Sequence, residues 1–199
     1  MEIKEKIITG ALKMFTRYGI RSITMDSIAE ELGISKRTIY EKFKDKDELL
    51  KNCFETAIAT QKASTEEILK TSENVIEALL KIVKHNVNIM KTINPVFFYD
   101  IKKYYPNLNK HTVENNNNEN RIQFMELLNR GIKENVFRPE INVEIVAILL
   151  FEQFKIMNNQ EVFPEEKYSK IEIFENIVIN FMRGIATEKG FSLLEKYNS

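Results

Sequence analysis

The chain has 199 residues, of which 43% are hydrophobic and 29% are charged. This length allows one large domain or two smaller ones, and the composition excludes the disordered, collagen-like and disulfide-rich classes. Because 29 Lys and Arg residues balance 29 Asp and Glu residues, the formal net charge is zero. The chain as a whole therefore does not attract nucleic acid or anionic lipid, and any such contact must come from a local patch.

Cysteine usage and the N-terminus predict a cytoplasmic protein. Cys53 is the single cysteine, so no internal disulfide can form, and we expect a buried, inert thiol. Charged residues occupy the N-terminus, where a signal peptide needs an apolar stretch. The most apolar window, residues 143–157, contains three charges and is shorter than the roughly 20 residues that span a bilayer. We therefore expect no transmembrane segment and no membrane partner.

Apolar residues recur at helical spacing along the whole chain, and no long run alternates with the period of a strand. The predicted fold class is all-α, with about nine helices. The polar, Asn-rich residues 107–120 predict a loop or a frayed turn. The predicted helices cover approximately residues 3–18, 25–32, 36–43, 46–70, 73–92, 95–105, 119–135, 142–158 and 167–188.

Residues 24–43 have the pattern of a helix-turn-helix. Thr24 and Ser35 can each cap a short helix, and Gly33 between the two helices permits the positive φ of a tight turn. Apolar residues form the inner face of each helix, and the small Ala29 lets the helices cross closely. Three N-terminal helices therefore make up a compact helix-turn-helix unit.

The second helix of this motif presents its polar N-terminal half outward. Its free amides and dipole attract phosphate, and its first side chains can reach base edges in a DNA major groove. Between residues 35 and 46, five cations and two acids give a local charge of +3 on a neutral chain. A solvated charged face without a ligand is the alternative, and the motif alone leaves both interpretations open.

Four collinear segments closely resemble the DNA-binding domain of the TetR family of transcriptional regulators; they are residues 15–19, 23–29, 33–43 and 46–50. The resemblance implies a homodimer that represses or activates transcription from a double-stranded DNA operator. It also implies a C-terminal helical domain that binds a small effector and dimerises. The predicted division is therefore a helix-turn-helix domain at residues 1–48 and an effector-binding and dimerisation domain at residues 49–199.

The resemblance also assigns roles in DNA contact, position by position. The candidates for base edges are Lys36, Arg37 and Thr38, those for phosphates are Thr24, Tyr40 and Lys46, weaker candidates are Ser27 and Lys44, and Ser35 is added as the cap of the second helix.

Two C-terminal segments, residues 143–157 and the helix predicted at 167–188, carry more apolar residues than a single buried face needs. Residues 143–157 are apolar at 11 of 15 positions, and such a helix must be covered on more than one side. Packing between two copies explains both segments better than a monomer core, which stays open as the alternative. The predicted dimer residues are Val143, Val146, Leu150, Phe174, Val178, Phe181 and Ile185.

Aromatic residues concentrate between Pro95 and Pro106. Together with aromatic residues of later helices they can line a pocket for a small, mostly apolar effector, beside the helices predicted at 73–92 and 119–135. Plain core packing is the commoner role of such residues. The predicted ligand-binding residues are Met90, Phe97, Phe98, Tyr99, Tyr104, Phe124, Phe151 and Phe154.

Catalytic and metal-binding patterns are absent from the sequence. It has no phosphate-binding glycine loop, no nucleophile elbow and no metal-ligand spacing, and its only histidines, His85 and His111, lack a paired acid or thiol motif. We therefore expect no cofactor, no metal and no enzymatic activity. The prediction is a regulator that a small effector releases from a near-palindromic operator. The competing interpretation is a helical enzyme or ligand carrier whose helix-turn-helix makes only protein contacts.

Overall fold

The structure is a computed structural model in which the chain folds into α-helices. It describes residues 2–157, 159–164 and 166–198, and the side chains of all of these except residues 107–118 and 198. In this part of the chain the helices are α1 (Ile3–Tyr18), α2 (Met25–Leu32), α3 (Lys36–Tyr40), α4 (Lys46–Thr71), α5 (Val75–Thr92), α6 (Pro95–Tyr104), α7 (Pro106–Lys133), α8 (Val143–Ile156), α9 (Lys170–Ile185) and α10 (Glu188–Asn198). The predicted all-α class is confirmed.

Two sequence predictions about the C-terminal elements are wrong. The predicted loop at residues 107–120 is part of α7, which begins at Pro106, a residue suited to the first position of a helix. The helix predicted at 167–188 ends earlier, at Ile185, because the extended backbone of Ala186 ends α9, and α10 begins at Glu188, in a segment for which no helix was predicted. Ala186 forms an isolated antiparallel bridge with Phe137, and the backbone N–H of Thr187 donates to Val136 O (3.1 Å). These contacts use backbone groups that a continuous helix needs.

The first compact unit comprises Met1–Ser64 and Lys91–Asn116. Its core lies between α1, α2, α3 and the start of α4, and Phe97 and Ile101 of α6 pack into the same core. Burial of each such side chain contributes about 1.5–3 kcal/mol to folding. Fully buried side chains of this core include Ile7, Phe15, Ile28, Ile39 and Leu49.

The second compact unit comprises Thr65–Met90 and Asn117–Ser199. Its core combines α5, α7, α8, α9 and α10. Its fully buried side chains include Ile76, Leu128, Phe137 and Met182. Glu134, just after α7, accepts the backbone N–H of Val75 (2.8 Å) and so binds the start of α5 to the end of α7.

The compact units do not follow the expected division at residue 48, because α6 shares a core with α1. The division of function at residue 48, between DNA binding before it and effector binding and dimerisation after it, stays a prediction. Within the described ranges, no helix has both the length and the apolar character needed to cross a membrane.

Candidate nucleic-acid interface

Helix α2 begins with a reciprocal capping box. Thr24 Oγ1 accepts the backbone N–H of Ser27 (3.1 Å), and Ser27 Oγ accepts the backbone N–H of Thr24 (2.9 Å). These bonds satisfy backbone donors that the first turn of a helix leaves free. The predicted cap at Thr24 is therefore confirmed, and both hydroxyls are held at the N-terminal end of α2.

The turn between α2 and α3 depends on Gly33. Its φ of 63° and ψ of 38° lie in the left-handed region, and its N–H points to the carbonyls of Ala29 and Glu30. The following residue, Ile34, also donates its N–H to Ala29 O (3.0 Å). A residue with a Cβ is strained at this φ, so the predicted role of Gly33 is confirmed.

Helix α3 is capped by Ser35, as predicted. Ser35 Oγ accepts the backbone N–H of Thr38 (3.1 Å), and the hydroxyls of Ser35 and Thr38 share a hydrogen bond of 2.8 Å. Ile39 and Phe43 are buried against α1 and α2 and fix the rotation of α3. That rotation places the polar side chains of its first turn in solvent.

The exposed face of α3 carries the predicted base-reading residues. The side chains of Lys36 and Arg37 are 66% and 88% exposed, and Tyr40 is 52% exposed. Each cation has an acidic partner. Lys36 Nζ donates to Asp26 of α2, which raises the pKa of Lys36, and Arg37 Nε donates to Glu41 Oε1 at 2.8 Å. Both pairs are solvated, so a phosphate or a base edge can replace the carboxylates.

Lys46 was predicted to contact phosphate, but its ammonium binds backbone carbonyls of the same unit. Its Nζ donates to the carbonyls of Ile20 and Ile23, each at 2.5 Å. Burial lowers the pKa of Lys46, although nearby Asp100 opposes this change. The ammonium therefore connects the start of α4 to the loop before α2. Lys44, by contrast, is exposed.

The predicted ligand-binding residues are divided between the two compact units. In the first unit, Phe97 is buried in the core and stacks on Phe54, with ring centroids 6.0 Å apart, whereas Tyr99 and Tyr104 are exposed. In the second unit, Phe124 belongs to a row of half-buried rings, which we call the aromatic cluster. It consists of Phe124, Phe151, Phe154, Phe174 and Phe181, with neighbouring centroids 5.5–6.2 Å apart.

The predicted dimer residues mainly face the core of their own unit. Val178 and Ile185 are buried there, Leu150 is also buried, and the other four are half-buried and pack against the same core. Helix α8 nevertheless has an exposed apolar stripe, which consists of Ile145, Ile148, Leu149 and Ile156. The amount of apolar sequence in α8 predicted an uncovered face, but only the packing of the helix shows which residues form it.

Comparison with known proteins identifies the family that the N-terminal domain matches. Residues 7–53 match the family described as bacterial regulatory proteins, tetR family. The HTH-type transcriptional regulator YhgD of Bacillus subtilis is 35% identical over 94 residues, which cover 45% of this chain and 49% of YhgD. The HTH-type transcriptional repressor KstR2 of Mycobacterium tuberculosis is 24% identical over 144 residues, 71% of this chain and 72% of KstR2. The chain thus spans about half of the first of these relatives and less than three quarters of the second.

Solved structures show the same fold. The structure of ketosteroid transcriptional regulator KstR2 of M. tuberculosis aligns with a TM-score of 0.61 and 19% identity, covering 94% of this chain and 96% of that one. A transcriptional regulator from Cytophaga hutchinsonii aligns with a TM-score of 0.73 and 21% identity, covering 92% and 98%. Residues 7–53 thus match the helix-turn-helix domain of the tetR family, and the solved structures show that the chain shares the fold of such regulators.

Proposed function

We propose that this protein binds double-stranded DNA through α3 and represses transcription until a small, mostly apolar effector releases it. The observation that carries the proposal is the first turn of α3. Its Ser35 cap and its buried Ile39 hold the helix so that the side chains of Lys36 and Arg37 are exposed. A helix held in this way can enter the major groove with its N-terminal residues against the bases.

The proposed role of each residue in DNA contact follows from the hydrogen-bond donors that its side chain carries. Arg37 can donate two hydrogen bonds to a guanine edge, and Lys36 and Thr38 are the other base-edge candidates. The phosphate candidates carry hydroxyl or ammonium groups. Thr24, Ser27 and Ser35 lie at helix starts, where free amides add a favourable dipole, whereas Tyr40 ends α3 and Lys44 precedes α4. Lys46 serves instead to hold the loop before α2.

The protein is proposed to act as a homodimer. The inner side of α8 packs against the core of its own unit, whereas its apolar stripe is exposed. We expect the same stripe of a second copy to bury it. A two-fold dimer presents two α3 helices and therefore predicts a near-palindromic operator.

The effector is proposed to bind at the aromatic cluster of the second unit. Its five rings are half-buried, and contacts between rings favour a flat, apolar ligand. KstR2, with which this chain shares its fold, is described as a ketosteroid regulator, and a ketosteroid is a ligand of that kind. Phe124→Ala is expected to weaken effector response and to leave effector-free DNA binding within about twofold.

The proposed function is tested by binding to the DNA upstream of the protein's own gene, at several salt concentrations. Fluorescence anisotropy should show tighter binding to this DNA than to a scrambled duplex, with affinity falling steeply as salt rises. Lys36→Ala should weaken binding, whereas Lys84→Ala, which removes an exposed lysine of α5, should not. Equal affinity for both duplexes, or equal effects of the two substitutions, contradicts the proposal.

A further inference from the structure

The loop at residues 19–23 joins α1 to the helix-turn-helix and ends at Thr24, the cap of α2. Two charged side chains from distant parts of the sequence hold its backbone. Lys46 of α4 binds two of its carbonyls, as described above, and Asp100 of α6 binds one of its amides. All of these residues belong to the first compact unit.

Asp100 is the most unusual of these residues because it is a carboxylate in a largely apolar core. Its side chain is 4% exposed, and its Oδ2 accepts the backbone N–H of Arg21 at 2.8 Å. A buried charge is costly unless it is hydrogen-bonded or paired. Here the amide of Arg21 supplies the hydrogen bond and the ammonium of Lys46 supplies a nearby opposite charge.

The close approach of α6 to the loop requires Gly19. Its φ is +83°, and a Cβ at this position would lie 2.7 Å from Val96 Cγ1 and 3.1 Å from Asp100 Oδ2. The start of α6 is also attached to the end of α1, since the backbone N–H of Asn94 donates to Thr16 O (2.8 Å). The loop is therefore bonded to α6 through Asp100, and the end of α1, just before the loop, is bonded to Asn94 at the start of α6.

We propose that Asp100 is a positioning residue for DNA binding. Its carboxylate holds the loop at Arg21, and the loop places Thr24 and with it the first turn of α2, on which α3 packs. Asp100 contacts no DNA in this scheme. It sets the orientation of the helices that do, so the inference rests on the proposed function.

The test compares Asp100→Ala, Asp100→Asn and Lys102→Gln in the full chain. Asn keeps a side-chain oxygen that can accept the N–H of Arg21, whereas Ala removes it and leaves a donor without its partner. Lys102→Gln removes an exposed charge of the same helix and serves as the control. Amide hydrogen exchange, thermal unfolding and anisotropy with the upstream DNA are measured for each variant.

In the wild type, the amide of Arg21 should exchange at least about tenfold more slowly than in an unstructured chain. Asp100→Ala should remove this protection and weaken DNA binding by roughly five- to fiftyfold, with an unchanged salt slope because no phosphate contact is lost. Asp100→Asn should restore most of the affinity. Lys102→Gln should match the wild type in both measurements.

Three results overturn the inference: an unprotected Arg21 amide in the wild type, DNA affinity of Asp100→Ala within twofold of wild type, or equal losses in the Ala and Asn variants. If Asp100→Ala does not fold, the wild-type exchange and the Asn variant decide the question in the same way. Failure of the proposed function is distinguishable, because wild-type protein then binds no DNA while the exchange measurement still reports on the loop.

Discussion

At the scale of single residues, the cations of α3 are held by acids of the same unit. Asp26 binds Lys36 and Glu41 binds Arg37, so each cation has a carboxylate partner in the chain itself. In the proposed complex, phosphates or base edges replace these carboxylates. The exchange costs little in water because solvated ion pairs are weak.

Arg37 and Lys44 are predicted to differ in what they read. Arg37→Ala should cost about 1–3 kcal/mol of binding free energy and relax base preference at one position. Lys44→Ala should weaken all sequences about equally and reduce the salt slope by about 1. Anisotropy with cognate and scrambled duplexes measures both. A uniform loss for Arg37→Ala on the two duplexes would show that Arg37 does not read bases.

Cys53 is predicted to be unreactive in the folded protein. It is fully buried, its thiol points to Ile8 O, and burial raises its pKa to about 12. The pKa of a thiol in an unfolded chain is about 8.5. The stability that buried Cys53 contributes is therefore fully present below about pH 8.5 and is lost as the pH rises toward the higher pKa of the folded state. Iodoacetamide at pH 8 should label the protein only in denaturant. Rapid labelling of folded protein would contradict the buried position.

The structural role of a residue was predictable from the sequence where its hydrogen-bond partner is only a few positions away. Thr24, Gly33 and Ser35 act within three or four residues of themselves, and their roles follow from backbone chemistry alone. Lys46 and Asp100 bind groups 23 to 79 positions away, and no periodicity or spacing reports such contacts. The sequence shows that Lys46 is a cation near the DNA-binding helices, but not that its charge is used inside the unit.

At the scale of elements, helical periodicity predicted nine of the ten described helices, and the errors were the start of α7, the end of α9 and the absence of α10 from the prediction. Residues 107–120 have the composition of a loop, yet they continue the helix that begins at Pro106. Ala186 has a good helix propensity but lies in an extended bridge with Phe137. In the second case a tertiary contact overrides local preference. The aromatic cluster shows the same limit, because its rings come from three helices.

The exposed stripe of α8 is predicted to hold two copies together. Leu149→Glu places a charge on this stripe and should raise the dimer dissociation constant by about 100-fold or more, with no change in helix content. Asn88→Glu adds the same charge at an exposed position of α5 and should have no effect. Analytical ultracentrifugation measures both variants. If Leu149→Glu sediments as the wild type does, the stripe is not the interface.

At the scale of the whole molecule, a chain with no net charge has a local cationic segment, because lysine and arginine are concentrated beside one helix. The segment from 35 to 46 carries a charge of +3, and four of its five cations are exposed, whereas Lys46 binds carbonyls inside the unit. Local charge of this kind gives DNA affinity without making the whole protein adhere to nucleic acid.

The most direct test of the central claim, that α3 reads DNA sequence, is selection of bound duplexes from random DNA with wild-type protein and with Arg37→Ala. The wild type should enrich a near-palindromic sequence whose half-sites lie about one helical turn or slightly more apart. Arg37→Ala should enrich the same arrangement with one base position in each half-site relaxed. Recovery of a pool with no common sequence, or of an identical sequence with both proteins, would contradict the claim.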